Sequence, residues 1–159
     1  MIKKSTRKTA VNRIKPVNQF HQRKTRSLLD GIPEDIPSLL RANLITQRVS
    51  KAGFDWPNRT GVLTKMDEEI KELREALFSE DRRKIREEIG DLLFVLVNLA
   101  RFLKVDPEDA LRRTIEKFIS RFGYIETSLM KRGKTIYQSN LMEMDHLWEE
   151  AKRKKRKKF

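Results

Sequence analysis

A chain of 159 residues has room for one domain and one modest core, with roughly two thirds of the unfolded chain's surface buried, which excludes a second catalytic domain. The absence of cysteine excludes disulfides and thiolate metal sites. The net charge of +13 sits at the ends: residues 1–26 carry nine cations and no acid, 152–158 reads KRKKRKK, and the rest is mildly acidic, with 20 basic against 23 acidic residues.

Like-charged runs repel themselves and have little to bury. Residues 1–27 and 152–159 therefore read as basic tails around a domain spanning 28–151. Three roles stay open for them: solubilising extensions, contacts to nucleic acid or another polyanion through Lys and Arg, or targeting. The longest apolar stretch, around Leu92 to Ala100, is too short to cross a membrane and contains Asn98. The expectation is a cytoplasmic protein without a membrane partner.

In chain order, Gly31, Pro33 and Pro37 delay the first long helix. Leu39, Leu40, Leu44, Ile45 and Val49 recur at three- and four-residue spacings, which predicts a helix over 38–52 stopped by Gly53. The segment FDWPNRTG follows as a loop. Its rings, Phe54 and Trp56, either cap the core or meet a ligand. Met66, Ile70, Leu73 and Leu77 predict a second helix over 62–78, and a third runs over 82–103. The second half of the third helix is apolar nearly all round, so it is expected at the centre of a bundle. Asp106 as N-cap and Pro107 at the first helical position open a fourth helix to about residue 132, closed by Gly133. Leu141, Met144, Leu147 and Trp148 mark a short last helix over 141–152. With no alternating strand pattern, the fold class is all-α: four main helices in a bundle-like arrangement with a short extra C-terminal helix.

The chemistry lies where EEIKE occupies 68–72 and EEIGD occupies 87–91. Glu69 and Glu72 are three apart, as are Glu88 and Asp91, and that spacing puts each pair on one helical face. Four carboxylates on neighbouring helices can converge. Asp91, between Ile89 and the Leu92, Leu93, Phe94 run, is expected to be buried and to need a cation, a donor or a proton. A hard divalent metal serves the set best. All-oxygen ligation suits Mg²⁺ or Mn²⁺, and His21 and His146 are too isolated for a zinc or di-iron site. Solvent-facing pairing with Lys71, Arg74, Lys84 and Arg86 is the plain alternative. Asn98, seven residues after Asp91 in an apolar run, needs a partner: a nucleotide or another helix.

These residues resemble the MazG family of all-α nucleoside triphosphate pyrophosphohydrolases. The likeness rests on the acid motifs with fifteen residues between them, and on GFDWP at 53–57, GDLLF at 90–94, VNLAR at 97–101, KFISRF at 117–122 and LWEEAK at 147–152. It covers about residues 28–152 and is similar to the C-terminal catalytic domain of longer MazG proteins. The resemblance implies hydrolysis of NTP or dNTP to the monophosphate and pyrophosphate, with Glu69, Glu72, Glu88 and Asp91 as Mg²⁺ ligands and Glu68 or Glu87 as a catalytic acid or base orienting water. It further implies that Lys65, Lys84, Lys117 and Arg121 reach the triphosphate and that Trp148 or Trp56 stacks on the base. At least a homodimer is implied, in keeping with much apolar surface on few residues. A rival reading is a basic helical nucleic-acid-binding or interaction protein with a degenerate site, against which four converging acids argue.

Overall fold

The computed structural model describes residues 27–156, so the expected N-terminal tail lies outside the described residues except for Ser27. Five α-helices make up nearly all of it: α1 (Ser38–Lys51), α2 (Arg59–Phe78), α3 (Arg82–Phe102), α4 (Pro107–Lys131) and α5 (Leu141–Arg156), with one 3₁₀ turn at Ile136–Gln138. The all-α expectation holds.

Local chemistry sets the helix starts. Asn58 Oδ1 accepts from the backbone N–H groups of Thr60 and Gly61, at 2.9 and 3.2 Å, so α2 begins three residues earlier than apolar periodicity predicts and takes Gly61 inside. Asp81 caps α3 in the same way, and Asp106 caps α4 ahead of Pro107, as expected. At its other end, α5 continues to Arg156 rather than dissolving at residue 152. The start of the expected C-terminal tail is therefore helical, which suits lysine and arginine, both good helix formers.

The three-residue turn at 79–81 folds α2 back on α3 as a helical hairpin, the most extensive packing in the chain. α1 lies against α3, and α5 returns along α4. Ile125, Leu129 and Leu147 form a small core between α4 and α5, with Phe122, Tyr124, Ile136, Met144 and Trp148 around it. α4 touches α3 only sparsely. In consequence the apolar second half of α3 is not enclosed as expected: Leu93, Phe94 and Leu96 are 49%, 42% and 52% exposed, and Leu111, Ile115, Phe118 and Ile119 of α4 are exposed as well. No helix among the described residues is long and apolar enough to cross a membrane.

Candidate metal centre

The hairpin sets the acids of α2 against those of α3. Carboxylate oxygens of Glu69, Glu88 and Asp91 lie within 4.8 Å of one another. Glu72, one turn beyond Glu69 and exposed, stays outside this trio but is near enough for its charge to act on Glu88. Burial and then the charges of Glu72, Glu69, Asp91 and Glu87 push the Glu88 carboxyl above its ordinary value of 4.5. Like charges held together in this way call for a cation.

The burial pattern overturns one expectation. Asp91 is exposed, and the buried carboxylate is Glu69, 4% exposed. Of the apolar residues flanking Asp91, Ile89, Leu93 and Phe94 are exposed and Leu92 is only half-buried, so their presence does not bury it. Glu69 lies on the α2 face that packs on α3, with Val62 and Ala76 of the same helix also buried. Its charge is answered within the chain: Lys65 Nζ stands 2.9 Å from Glu69 Oε1 and 3.2 Å from Glu68 Oε2. Hydrogen bonds to Glu69 and then to Glu68 hold this ammonium well above its ordinary value. Glu87 is exposed beside Arg83, and Lys84 shares an indentation of about 400 Å³ with Glu72, Glu75, Glu87 and Glu88. Lys65 and Lys84 therefore both reach the acidic region. An all-oxygen donor set this close fits a hard divalent cation.

Lys117, Arg121 and Trp148 are not drawn to the carboxylates within the described chain. Lys117 is exposed on α4. The Arg121 guanidinium sits 5.3 Å from the centre of the Trp148 ring, which also meets Phe118 at 5.2 Å. Arg121 Nε is buried without a hydrogen-bond partner among the described residues. Trp56 and Asn98 do come together, in a cleft of about 400 Å³ between α1, the FDWP loop and α3. Trp56 is half-buried there, its ring so close to Gly61 that an added Cβ would lie 2.7 Å from Cδ1, whereas Phe54 is 81% exposed. Asn98 is buried, and its Oδ1 accepts from Arg101 Nε at 2.8 Å.

Two residues of this cleft are not singled out by the sequence. Arg101 donates from its guanidinium to Asp55 Oδ1 at 2.5 Å, linking the loop to α3. A signal for Arg101 is present, since an arginine three residues after an asparagine shares its helical face. Asp55 sits within GFDWP, but nothing in that motif marks it as the partner of Arg101, 46 positions away.

Known proteins share much of this sequence. Residues 59–124 match the model of the MazG nucleotide pyrophosphohydrolase domain. A Thermotoga maritima protein named nucleoside triphosphate pyrophosphohydrolase/pyrophosphatase MazG is 43% identical over 130 residues, covering 82% of this chain and 50% of its own length. The Escherichia coli K12 nucleoside triphosphate pyrophosphohydrolase is 40% identical over 136 residues, covering 83% of this chain and 51% of its own. The chain thus spans about half the length of these curated relatives. The likeness to the MazG nucleotide pyrophosphohydrolase domain runs through α2, α3 and most of α4, the hairpin that carries the acids included.

Proposed function

We propose that this chain hydrolyses nucleoside triphosphates, ribo or deoxy, to the monophosphate and pyrophosphate in the cytoplasm, with Mg²⁺ or Mn²⁺ held by Glu69, Glu88 and Asp91 and completed by Glu72. The observation that carries the reading is the convergence of three carboxylate oxygens from two helices within 4.8 Å. A bound divalent cation neutralises phosphate oxygens and acidifies water. Lys65 and Lys84 hold the polyphosphate, to which each adds a positive charge beside the carboxylates. Glu87, whose only ion pair is a loose one at 3.8 Å from Arg83 among the described residues, is better placed than Glu68 to take a proton from water, because Glu68 is held by Lys65. The cleft of Trp56 and Asn98 takes the base. Asn98 lies seven residues after Asp91 on α3, about 10 Å along the axis, a span that suits a nucleoside.

The chain works as a homodimer. Leu93 and Leu96 of α3 and Leu111, Ile115, Phe118 and Ile119 of α4 form an exposed apolar face too large for a free surface. A second copy would cover it, and would also account for Lys117, Arg121 and Trp148 standing apart from the carboxylates of their own chain. Near the end of α5, where Lys152 pairs with Glu149 and Lys154 with the Tyr124 hydroxyl, Arg153 is exposed and offered to a polyanion.

The test is pyrophosphate release from mixed NTPs with Mg²⁺, repeated with chelator and with Glu69→Gln and Glu88→Gln. The reading expects release to fall at least a hundredfold in each case. Undiminished release in both variants sinks the metal assignment. Sedimentation of the wild type and of Ile115→Asp tests the dimer, which the variant should dissociate.

A further inference from the structure

The cleft beside α3 has mostly apolar walls, contributed by Ile45, Val49, Phe54, Trp56 and Phe94, and Asn98 is a buried polar group on its surface. Which end of the Asn98 amide faces the cleft follows from its neighbour. A guanidinium can only donate hydrogen bonds, so the group 2.8 Å from Arg101 Nε must be the amide oxygen. Arg101 cannot turn away, because its other arm is held by Asp55 at 2.5 Å, and Arg101 and Asp55 are 14% and 24% exposed. Asp55 is fixed in turn, since the same oxygen accepts from the Trp56 backbone N–H at 2.9 Å. The amide nitrogen of Asn98 makes no hydrogen bond among the described residues. That nitrogen is still reached by solvent where Asn98 lines the cleft, so an occupant that displaces water there is selected for an acceptor at that point.

We infer that the Asp55, Arg101, Asn98 chain fixes Asn98 as a hydrogen-bond donor, and that the cleft thereby takes bases presenting a keto oxygen in preference to those presenting an amino group. The inference deepens the proposed function, since it rests on the cleft being where the base lies. Asn98 is the specificity-determining residue. Arg101 and Asp55 are positioning residues, which act by keeping the amide from flipping. An amino group facing Asn98 would place two donors together and leave both unpaired, which corresponds to about a tenfold or greater loss.

The experiment uses matched pairs that differ at one exocyclic position, UTP against CTP and ITP against ATP, with the full chain and Mg²⁺. The ratio of kcat/KM within each pair is the readout. The wild type should prefer the keto member about tenfold or more. Asn98→Asp, which offers only acceptors, should reverse the preference, and Arg101→Met, which frees the amide to turn, should bring the ratio towards one. A structural role alone would lower all rates together and leave the ratios unmoved. Calorimetric binding of UMP and CMP provides an arm that needs no hydrolysis and expects the same preference. Equal binding of UMP and CMP, or ratios unchanged in Asn98→Asp, would overturn the inference. Keto-selective binding without pyrophosphate release from any nucleotide would overturn the proposed reaction and leave the donor assignment standing.

Discussion

Lys65 directs its ammonium to within 2.9 Å of Oε1 of Glu69, the buried carboxylate of the acidic site. A lysine one turn before a glutamate on the same helix is an ordinary pairing, but here the glutamate side chain is 5% exposed and the lysine 36%. The ammonium balances a charge that water cannot reach.

Lys65→Met removes that balance. The variant is expected to lose at least about 1–3 kcal/mol without divalent metal, the cost of leaving a buried acceptor unsatisfied. Added Mg²⁺ should then raise the melting temperature of Lys65→Met by more than it raises that of the wild type, because the cation relieves a larger deficit. Thermal unfolding with and without Mg²⁺ measures both shifts, and equal shifts would separate Lys65 from the metal site.

Gly61→Ala tests the close approach of Trp56 to α2. The new Cβ would meet the indole ring at 2.7 Å, so the ring must move. Overpacking typically costs about 1–3 kcal/mol, partly offset here by alanine's better helix propensity, about 1 kcal/mol at an interior position. A net loss of about 1 kcal/mol is expected from these opposing terms, with a shift in tryptophan emission as the ring leaves its place beside the cleft. An unchanged spectrum would mean the ring is not held against Gly61.

Lys104 has φ of 56° just past the end of α3, a left-handed conformation that glycine adopts without strain. Lys104→Gly should stabilise the chain by about 0.5–1 kcal/mol, measured by urea unfolding. Glu80, with φ of 54° after α2, offers the same substitution as an internal control.

Acid should loosen the connection between α4 and α5 at Glu143. Hydrogen bonds from Ser139 and Lys134, with Arg132 adding a smaller pull, hold its carboxyl below its ordinary value of 4.5. A depressed acid stabilises the fold above its unfolded value, and that contribution is lost as pH falls through the folded value. Stability from this group is therefore full at neutral pH and declines below about pH 4.5. Amide exchange around 134–143 should accelerate on acidification in the wild type, and Glu143→Gln should remove that pH dependence.

Much of the fold is legible in the residue order because its signals are local. Asp106 with Pro107 marks the start of α4 by residue type alone, and the apolar spacing in α1 and α2 places those helices to within a few residues. Asn58 shows the limit of periodicity: its capping moves the start of α2 upstream of the first periodic residue. The acids behave in the same way. A spacing of three guarantees a shared face on one helix, so the pairs 69 and 72, and 88 and 91, are readable from the motifs themselves.

Burial and partnership come from the tertiary packing instead. The order of residues establishes that Glu69 and Asp91 carry charge on helix faces able to meet, but not which of them is shielded from water. That choice belongs to the packing of α2 on α3, which closes over Glu69 and leaves Asp91 open. Likewise, an apolar run in α3 does not enclose itself, and the neighbours that would cover it are not supplied by α4 of the same chain. The bond between Asp55 and Arg101 joins positions 46 apart, and only the folded path of the chain brings them together. Helical periodicity repeats within a turn, whereas burial and long-range pairing depend on whatever the rest of the molecule places alongside.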